Sequence, residues 1–198
     1  MKIVLVHGIF DNGGLFKSMV RSLEQRGHEC FAPSLHPSDA RLGIADLAQK
    51  LAREVQHQFG DTEIIAIIGF SMGCLIARHY LQELEGYKRT RLFFAISGPH
   101  AGSLLAHCYI GQGAIDMRPH SEFLQRLATT EHLLATVALY AYRTPFDLMI
   151  LPSTSSEWSA AENLKIPALA HPLMLSHKAV LSHIMGKLDQ AAAEASLT

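Results

Sequence analysis

Ile64-Ile65-Ala66-Ile67-Ile68-Gly69-Phe70-Ser71-Met72-Gly73-Cys74 joins a short apolar run to a Gly-x-Ser-x-Gly pattern, and a helical pattern begins at once. The run Ile64–Ile68 is uncharged, β-branched and too short for a buried helix, so it reads as a strand covered on both faces. After the serine, Met72, Leu75, Ile76, His79 and Tyr80 recur at helical spacing and define one helix face. Ser71 therefore stands at a strand-to-helix corner. Gly69 and Gly73 leave room there for the sharp, strained turn that an exposed nucleophile needs. The plain alternative is a glycine-serine turn without chemistry. The strand before and the helix after favour the nucleophile.

The pattern around this corner is a repeating strand and helix. Lys2–Val6 reads as a strand, followed by the glycine-rich loop His7-Gly8-Ile9-Phe10-Asp11-Asn12-Gly13-Gly14. Leu15, Met19 and Leu23 step by four and give a helix that stops near Gly27. His28–Ala32 is a weaker strand, and Ile44 to Phe59 is a helix ended by Gly60. Arg91–Ser97, Thr136–Tyr142 and Ala168–Leu175 are the remaining expected strands, the last interrupted by Pro172. Glu122–Leu127 is a short helix, and Val180, Leu181, Ile184 and Leu188 share a face of the last helix. The stretches 98–119 and 143–165 read as loop. The alternation predicts an α/β fold: one domain over residues 1–198, with about six mostly parallel strands and helices on both faces. Functional groups are then expected on loops beyond the strand C-termini.

Composition narrows the function classes. The 198 residues carry 48% hydrophobic and 18% charged side chains and a net charge of −1, with no charged block, so attraction to nucleic acid is not indicated. Three widely spaced cysteines, Cys30, Cys74 and Cys108, form neither a disulfide framework nor a zinc pattern. There is no His-Glu-x-x-His, no Cys-x-x-Cys pair and no phosphate-cradling glycine motif, so neither metal nor cofactor is expected. No apolar run approaches the ~20 residues of a membrane span. Met1-Lys2 runs straight into the first strand without a cleavage site, which gives the expectation of a cytoplasmic protein.

A serine hydroxyl needs a base within hydrogen-bond reach and a third group to orient that base. Among 12 histidines, position decides. His177 falls between the last expected strand and the last helix, at the correct sheet edge, and is the expected base. His183 lies too far into the helix. His171 falls early in the expected last strand, at the wrong depth. His7 and His100 read as loop-organising groups. The acid should follow a strand between serine and histidine, and Asp147, flanked by Phe146 and Leu148-Met149-Ile150-Leu151, is expected there. Its competitors are Asp116, Glu122, Glu131, Glu157 and Glu162. A partly buried carboxylate needs a partner, and an imidazolium supplies one. Two backbone N–H groups should form an oxyanion site. One is Met72, at the helix N-terminus. The other is Ile9, with Phe10 as runner-up. Phe10, Leu15, Phe70, Leu104 and Leu105 are candidate acyl-pocket residues, each of which could equally be core.

Gly69-Phe70-Ser71-Met72-Gly73, His7-Gly8 after the first strand, and Asp147 before His177 together resemble the α/β-hydrolase superfamily. Within it the chain is similar to small bacterial lipases and esterases, which include relatives of the inositol deacylases acting on lipid anchors. Ser97-Gly98-Pro99-His100-Ala101-Gly102-Ser103 resembles their T-P-H-x-G-S segment, and Met117-Arg118-Pro119-His120-Ser121-Glu122-Phe123-Leu124 resembles their M-x-P-x-S-x-F-L run. The resemblance covers nearly the whole chain. It implies a Ser-His-Asp triad and a small-molecule or lipid ester substrate. Many such relatives are secreted, whereas this chain shows no export signal. It is also too short for a long helical lid, so Leu104–Ile115 is either a partial cover or a short buried helix. The expected activity is carboxylester hydrolysis through an acyl-enzyme. An acyltransferase or thioesterase would use the same triad, and a non-catalytic scaffold would have no use for it.

Overall fold

Strands form where both faces of an apolar run can be covered. β1 (Lys2–Val6), β3 (Ile65–Phe70) and β4 (Thr90–Ile96) are almost entirely buried, as expected for central parallel strands. The computed structural model describes residues 1–195; residues 196–198, the end of the span expected to form one domain, lie outside the described residues. The other strands are β2 (Glu29–Phe31), β5 (Ala138–Arg143) and β6 (Glu162–Lys165). All pair in parallel in the order β2-β1-β3-β4-β5-β6. The chain therefore steps outward from β1 to β2, then returns to β1's other side with β3. That reversal opens a crevice between the loops after β1 and β3.

Helices cover both faces. On one side α2 (Ile44–Phe59), α3 (Met72–Glu83) and α5 (Glu122–Thr129) enclose a core that includes Val4, Ile67, Leu75 and Phe93. On the other, α1 (Lys17–Glu24) and α6 (Lys178–Ala195) pack over Ile3, Leu5, Ile68 and Phe94. A short helix α4 (Gln112–Asp116) lies in the stretch expected as loop. None of the described helices is long and apolar enough to cross a membrane. The last turn of α2 ends at Gly60, which takes a positive φ of 67° and donates its N–H to the Gln56 carbonyl. α3 differs from a one-faced helix: Arg78 and Gln82 are buried along with its apolar residues, because α2, α5 and the sheet surround it.

One expected strand is corrected. Residues 168–175 do not join the sheet; His171–Ser176 instead form a 3₁₀ turn with Pro172 in its first turn. The sixth strand is Glu162–Lys165, paired with β5 from Tyr140↔Glu162 to Arg143↔Lys165. It is an edge strand and largely solvated, so its sequence lacks the apolar run that marks the central strands. Thr136 also belongs to a 3₁₀ turn, and β5 starts two residues later than expected.

α3 meets β1 through backbone. A β-carbon on Gly73 would lie 2.1 Å from the Val6 carbonyl oxygen and 2.6 Å from that of His7. Gly73→Ala is therefore expected to cost at least ~2–3 kcal/mol of unfolding free energy. Gly186, on α6, has no neighbour within 4 Å of its would-be β-carbon. Gly186→Ala is expected to add about 0.5–1 kcal/mol. Urea unfolding of the two variants checks both signs.

Candidate active site

Ser71 follows β3 directly and precedes the first residue of α3. Its backbone sits at φ 54° and ψ −126°, a conformation that L-residues rarely adopt. Such strain costs on the order of 1–3 kcal/mol and persists only where surroundings enforce it. Here the Ser71 N–H donates to the Ile96 carbonyl (2.9 Å) and its carbonyl accepts from Cys74 N–H (3.0 Å). A β-carbon on Gly69 would approach the Cys74 backbone to 2.9 Å, so the turn closes only around glycine. The side chain is near the surface but mostly covered, with Ser71 9% exposed.

The loop after β1 closes over this corner. A β-carbon on Gly8 would be 3.1 Å from Ser71 Cβ. His7 fixes the loop from below: its Nε2 accepts the Leu35 N–H (2.9 Å), so Nδ1 carries the proton and donates to the Gly8 carbonyl (2.8 Å). Burial also pushes the His7 pKa down, which suits a ring that must accept at one nitrogen. The Phe10 N–H is occupied by the Ser38 carbonyl (2.9 Å). Among the described residues, the amides of Ile9 and Met72 have no acceptor. Phe10, the runner-up, is thus committed, and the amides of Ile9 and Met72 are not.

The structure does not bring the expected base, His177, to Asp147. Asp147 Oδ2 accepts from His171 Nδ1 at 2.7 Å, whereas His177 is not its partner. The reason is the misplaced strand: once β6 is Glu162–Lys165, the loop after it begins at residue 166 and carries His171 inward. His171 is 7% exposed and its ring lies on Phe70, the residue before Ser71, with centroids 4.8 Å apart. His177 instead immediately precedes α6, its Nδ1 accepting the Ala179 N–H (3.2 Å) as an N-terminal cap.

Asp147 is firmly set. Its Oδ1 accepts from the Met149 and Ile150 N–H groups, each at 2.9 Å. Burial acts to raise its pKa, but the His171 hydrogen bond and charge and these two amides outweigh it and hold the carboxyl below its usual range. Ser103 Oγ ties down the same loop, accepting from Leu151 N–H and donating to the Met149 carbonyl. The Thr144 hydroxyl donates to the Ala168 carbonyl and so couples the acid loop to the histidine loop. Four of the five other candidate acids are engaged elsewhere, Glu157 with Arg143, Glu162 with Lys187, Asp116 with the Ile44 N–H and Glu131 with Arg78, and the fifth, Glu122, is the first residue of α5. His183 accepts or donates to the Tyr142 hydroxyl, and His100 stacks on Trp158 beside Arg78.

Beside Ser71 lies a small, mostly apolar cavity of about 40 Å³, walled by Ile9, Leu105, Tyr109, Met117 and Ile150. Of the expected pocket residues, Leu105 reaches it. Phe10 is exposed with its ring near Tyr109, Leu104 is exposed, Leu15 packs on the core and Phe70 is core under His171. Tyr109, Met117 and Ile150 carry no pocket signal in the sequence beyond their nearness to the 104–115 segment and to Asp147. Residues 104–115 form a 3₁₀ turn and α4, pinned to the loop before α2 by the Gly113 N–H and the Ala40 carbonyl. A larger polar groove of about 520 Å³ passes His107, Arg118, His120 and Arg126 and does not include Ser71.

The Asp147–His171 pair has a consequence for stability. A carboxyl held below its unfolded pKa of ~3.9 contributes stability above that pH, which is lost as pH falls through the lower folded value. The difference in unfolding free energy between wild type and Asp147→Asn is therefore expected to narrow as pH drops from about 5 to 2. A difference independent of pH, in urea titrations, would show that the charge contributes nothing.

A family profile described as "alpha/beta hydrolase fold" matches residues 2–85, which span β1 to α3. Comparison with curated protein sequences finds no match. Among solved structures, the chain is similar to the mature form of the Bacillus licheniformis lipase BlEst2, with TM-score 0.76 and 17% identity over 94% of this chain and 91% of the other. Aspergillus fumigatus lipase B gives TM-score 0.72 at 17% identity over 88% of this chain and 49% of the other. A pyrethroid hydrolase from Sphingobium faniae gives 0.66 at 15% identity over 98% and 99%. At these identities the likeness is one of fold. The chain has the α/β-hydrolase fold.

Proposed function

We propose that the protein is a serine hydrolase of carboxylic esters, with Ser71 as nucleophile, His171 as base and Asp147 as the group that orients it. One observation carries the reading: a buried, hydrogen-bonded Asp147–His171 pair stacked against the residue that precedes a strained serine. With Nδ1–H bound to the carboxylate, His171 offers Nε2 as proton acceptor. Ser71 Oγ attacks the ester carbonyl as its proton passes to Nε2. The carbonyl oxygen becomes an oxyanion, held by the Ile9 and Met72 N–H groups at the positive end of α3. Asp147 stabilises the imidazolium. His171 then gives its proton to the departing alkoxide oxygen, leaving an acyl-serine and an alcohol. Water, deprotonated by the same nitrogen, adds to the acyl carbonyl, and collapse releases the acid and returns the proton to Ser71.

Each oxyanion donor is worth roughly 3 kcal/mol in this chemistry. Ser71→Ala and His171→Ala are each expected to lower kcat for a p-nitrophenyl ester by ~10⁴-fold or more with an unchanged circular dichroism spectrum. His177→Ala is expected to stay within about threefold of wild type, since a capping contact is worth about 1 kcal/mol of stability and no catalysis. An inactive His177→Ala beside an active His171→Ala would reverse the assignment.

The cavity beside Ser71 also sets an expectation for the acyl group. About 40 Å³ admits a short chain only. Over a series of p-nitrophenyl esters, kcat/KM should peak at roughly two to four acyl carbons, and Leu105→Ala should move the peak upward by one or two. A wild-type optimum at long chains would place the acyl group outside this cavity.

A further inference from the structure

Asp11 stands in the loop after β1 with no task assigned so far. A β-carbon on Gly8 would lie 3.3 Å from Asp11 Oδ2 and 3.1 Å from Ser71 Cβ. The carboxylate and the serine are thus neighbours across a glycine. Asp11 is half-buried. Among the described residues its side chain has neither a hydrogen bond nor an ion pair, although its main-chain N–H donates to the Gly8 carbonyl. By contrast Asp147 is bound to His171 and two amides, and Asp39 to Arg41.

A half-buried carboxylate left unpaired is unfavourable. Its near titratable neighbours are His7 and His171. His7 cannot be its counter-ion, because that ring accepts the Leu35 N–H and must be neutral. For a neutral ester, Asp11 is an electrostatic burden, since negative charge develops on the carbonyl oxygen that Ser71 attacks, across Gly8 from the carboxylate. The burden becomes an advantage when the substrate brings a positive charge.

The site also says which part of the substrate would carry that charge. The apolar cavity on the Leu105–Met117 side suits the acyl chain, and it includes neither Asp11 nor His171. The leaving alcohol must accept a proton from His171, so it departs on the histidine's side, and His171 is one of the two titratable groups that Asp11 interacts with electrostatically. We propose that Asp11 is a specificity residue that favours esters whose leaving alcohol carries an ammonium group. This rests on the assignment of Ser71 and His171 given above.

The test compares the butyrate ester of choline with its isostere, in which a tert-butyl group replaces trimethylammonium. Wild type should favour the charged ester in kcat/KM by roughly tenfold at low salt, less at high salt. Asp11→Asn should bring the ratio close to one by lowering kcat/KM for the charged ester while leaving the neutral one unchanged or faster. A matched pair of phosphonothiolates, with charged and neutral leaving groups, reads the same ratio as the rate of covalent labelling at Ser71, independently of acyl preference. Absence of charge preference in wild type, or its persistence in Asp11→Asn, overturns the proposal. Equal loss for both esters in Asp11→Asn also overturns it, and would assign Asp11 to supporting the imidazolium. Failure of Ser71 to label with either reagent would instead remove the nucleophile assignment on which the proposal depends.

Discussion

The missing side chain at Gly73 is the constraint on which the site depends. It lets the first turn of α3 rest on the last carbonyls of β1, closer than any β-carbon permits. Two consequences follow from that contact. The loop after β1 is brought against Ser71, with Gly8 facing the serine β-carbon. The chain between β3 and α3 must also turn within one residue, and Ser71 takes up the bend at positive φ. The sheet supplies the leverage. β3 is buried along its whole length between β1 and β4, so its C-terminal end cannot relax to relieve the turn.

A buried charge braces the other side of the crevice. Arg78 is 3% exposed and sits on α3, two turns beyond the serine. Burial lowers its pKa to about 10, against the opposing pull of Glu131. The guanidinium bonds Gln82, the Leu127 carbonyl and Glu131, lies 4.5 Å over the Trp158 ring and points one nitrogen at His100. The Trp158 indole N–H donates to the same Glu131 carboxylate. Removing either partner of such an ion pair would strand a charge in the interior, which is far more costly than the pair is stabilising. The network therefore locks α3, the loop after β4 and the segment around Trp158 into one arrangement. Ser103, at the end of that loop, passes the constraint to the backbone around Asp147.

Most of the fold was legible because the central strands are covered on both faces and the helices on one. Lys2–Val6 and Ile44–Phe59 needed no correction. The exceptions share a cause. An edge strand such as Glu-Asn-Leu-Lys at 162–165 is specified by its pairing with β5, and the local sequence carries no apolar signal. The apolar stretch after it then imitates a strand, although Pro167 precedes it and Pro172 interrupts it. Moving the strand by a few residues moves the loop, and with it the histidine that meets Asp147. Chain order singled out Asp147; only the three-dimensional path shows that its partner is His171 and not His177. Asp11 gave no signal, since its neighbourhood to Ser71 arises from a contact between two loops distant in sequence.

The same edge strand has a bearing on how copies of the chain coexist. A parallel sheet ends in two rows of unsatisfied backbone groups, each a template for another strand. Here one row is three residues long and the other four, with Glu29 at one rim and Glu162 and Lys165 at the other. Glu162 is already engaged by Lys187 of α6, which lays a charged side chain alongside the rim. An approaching strand would find few ladder positions and would have to desolvate fixed charges to reach them. The polarity that concealed β6 in the sequence is thus the same feature that makes this edge a poor template for a neighbouring strand.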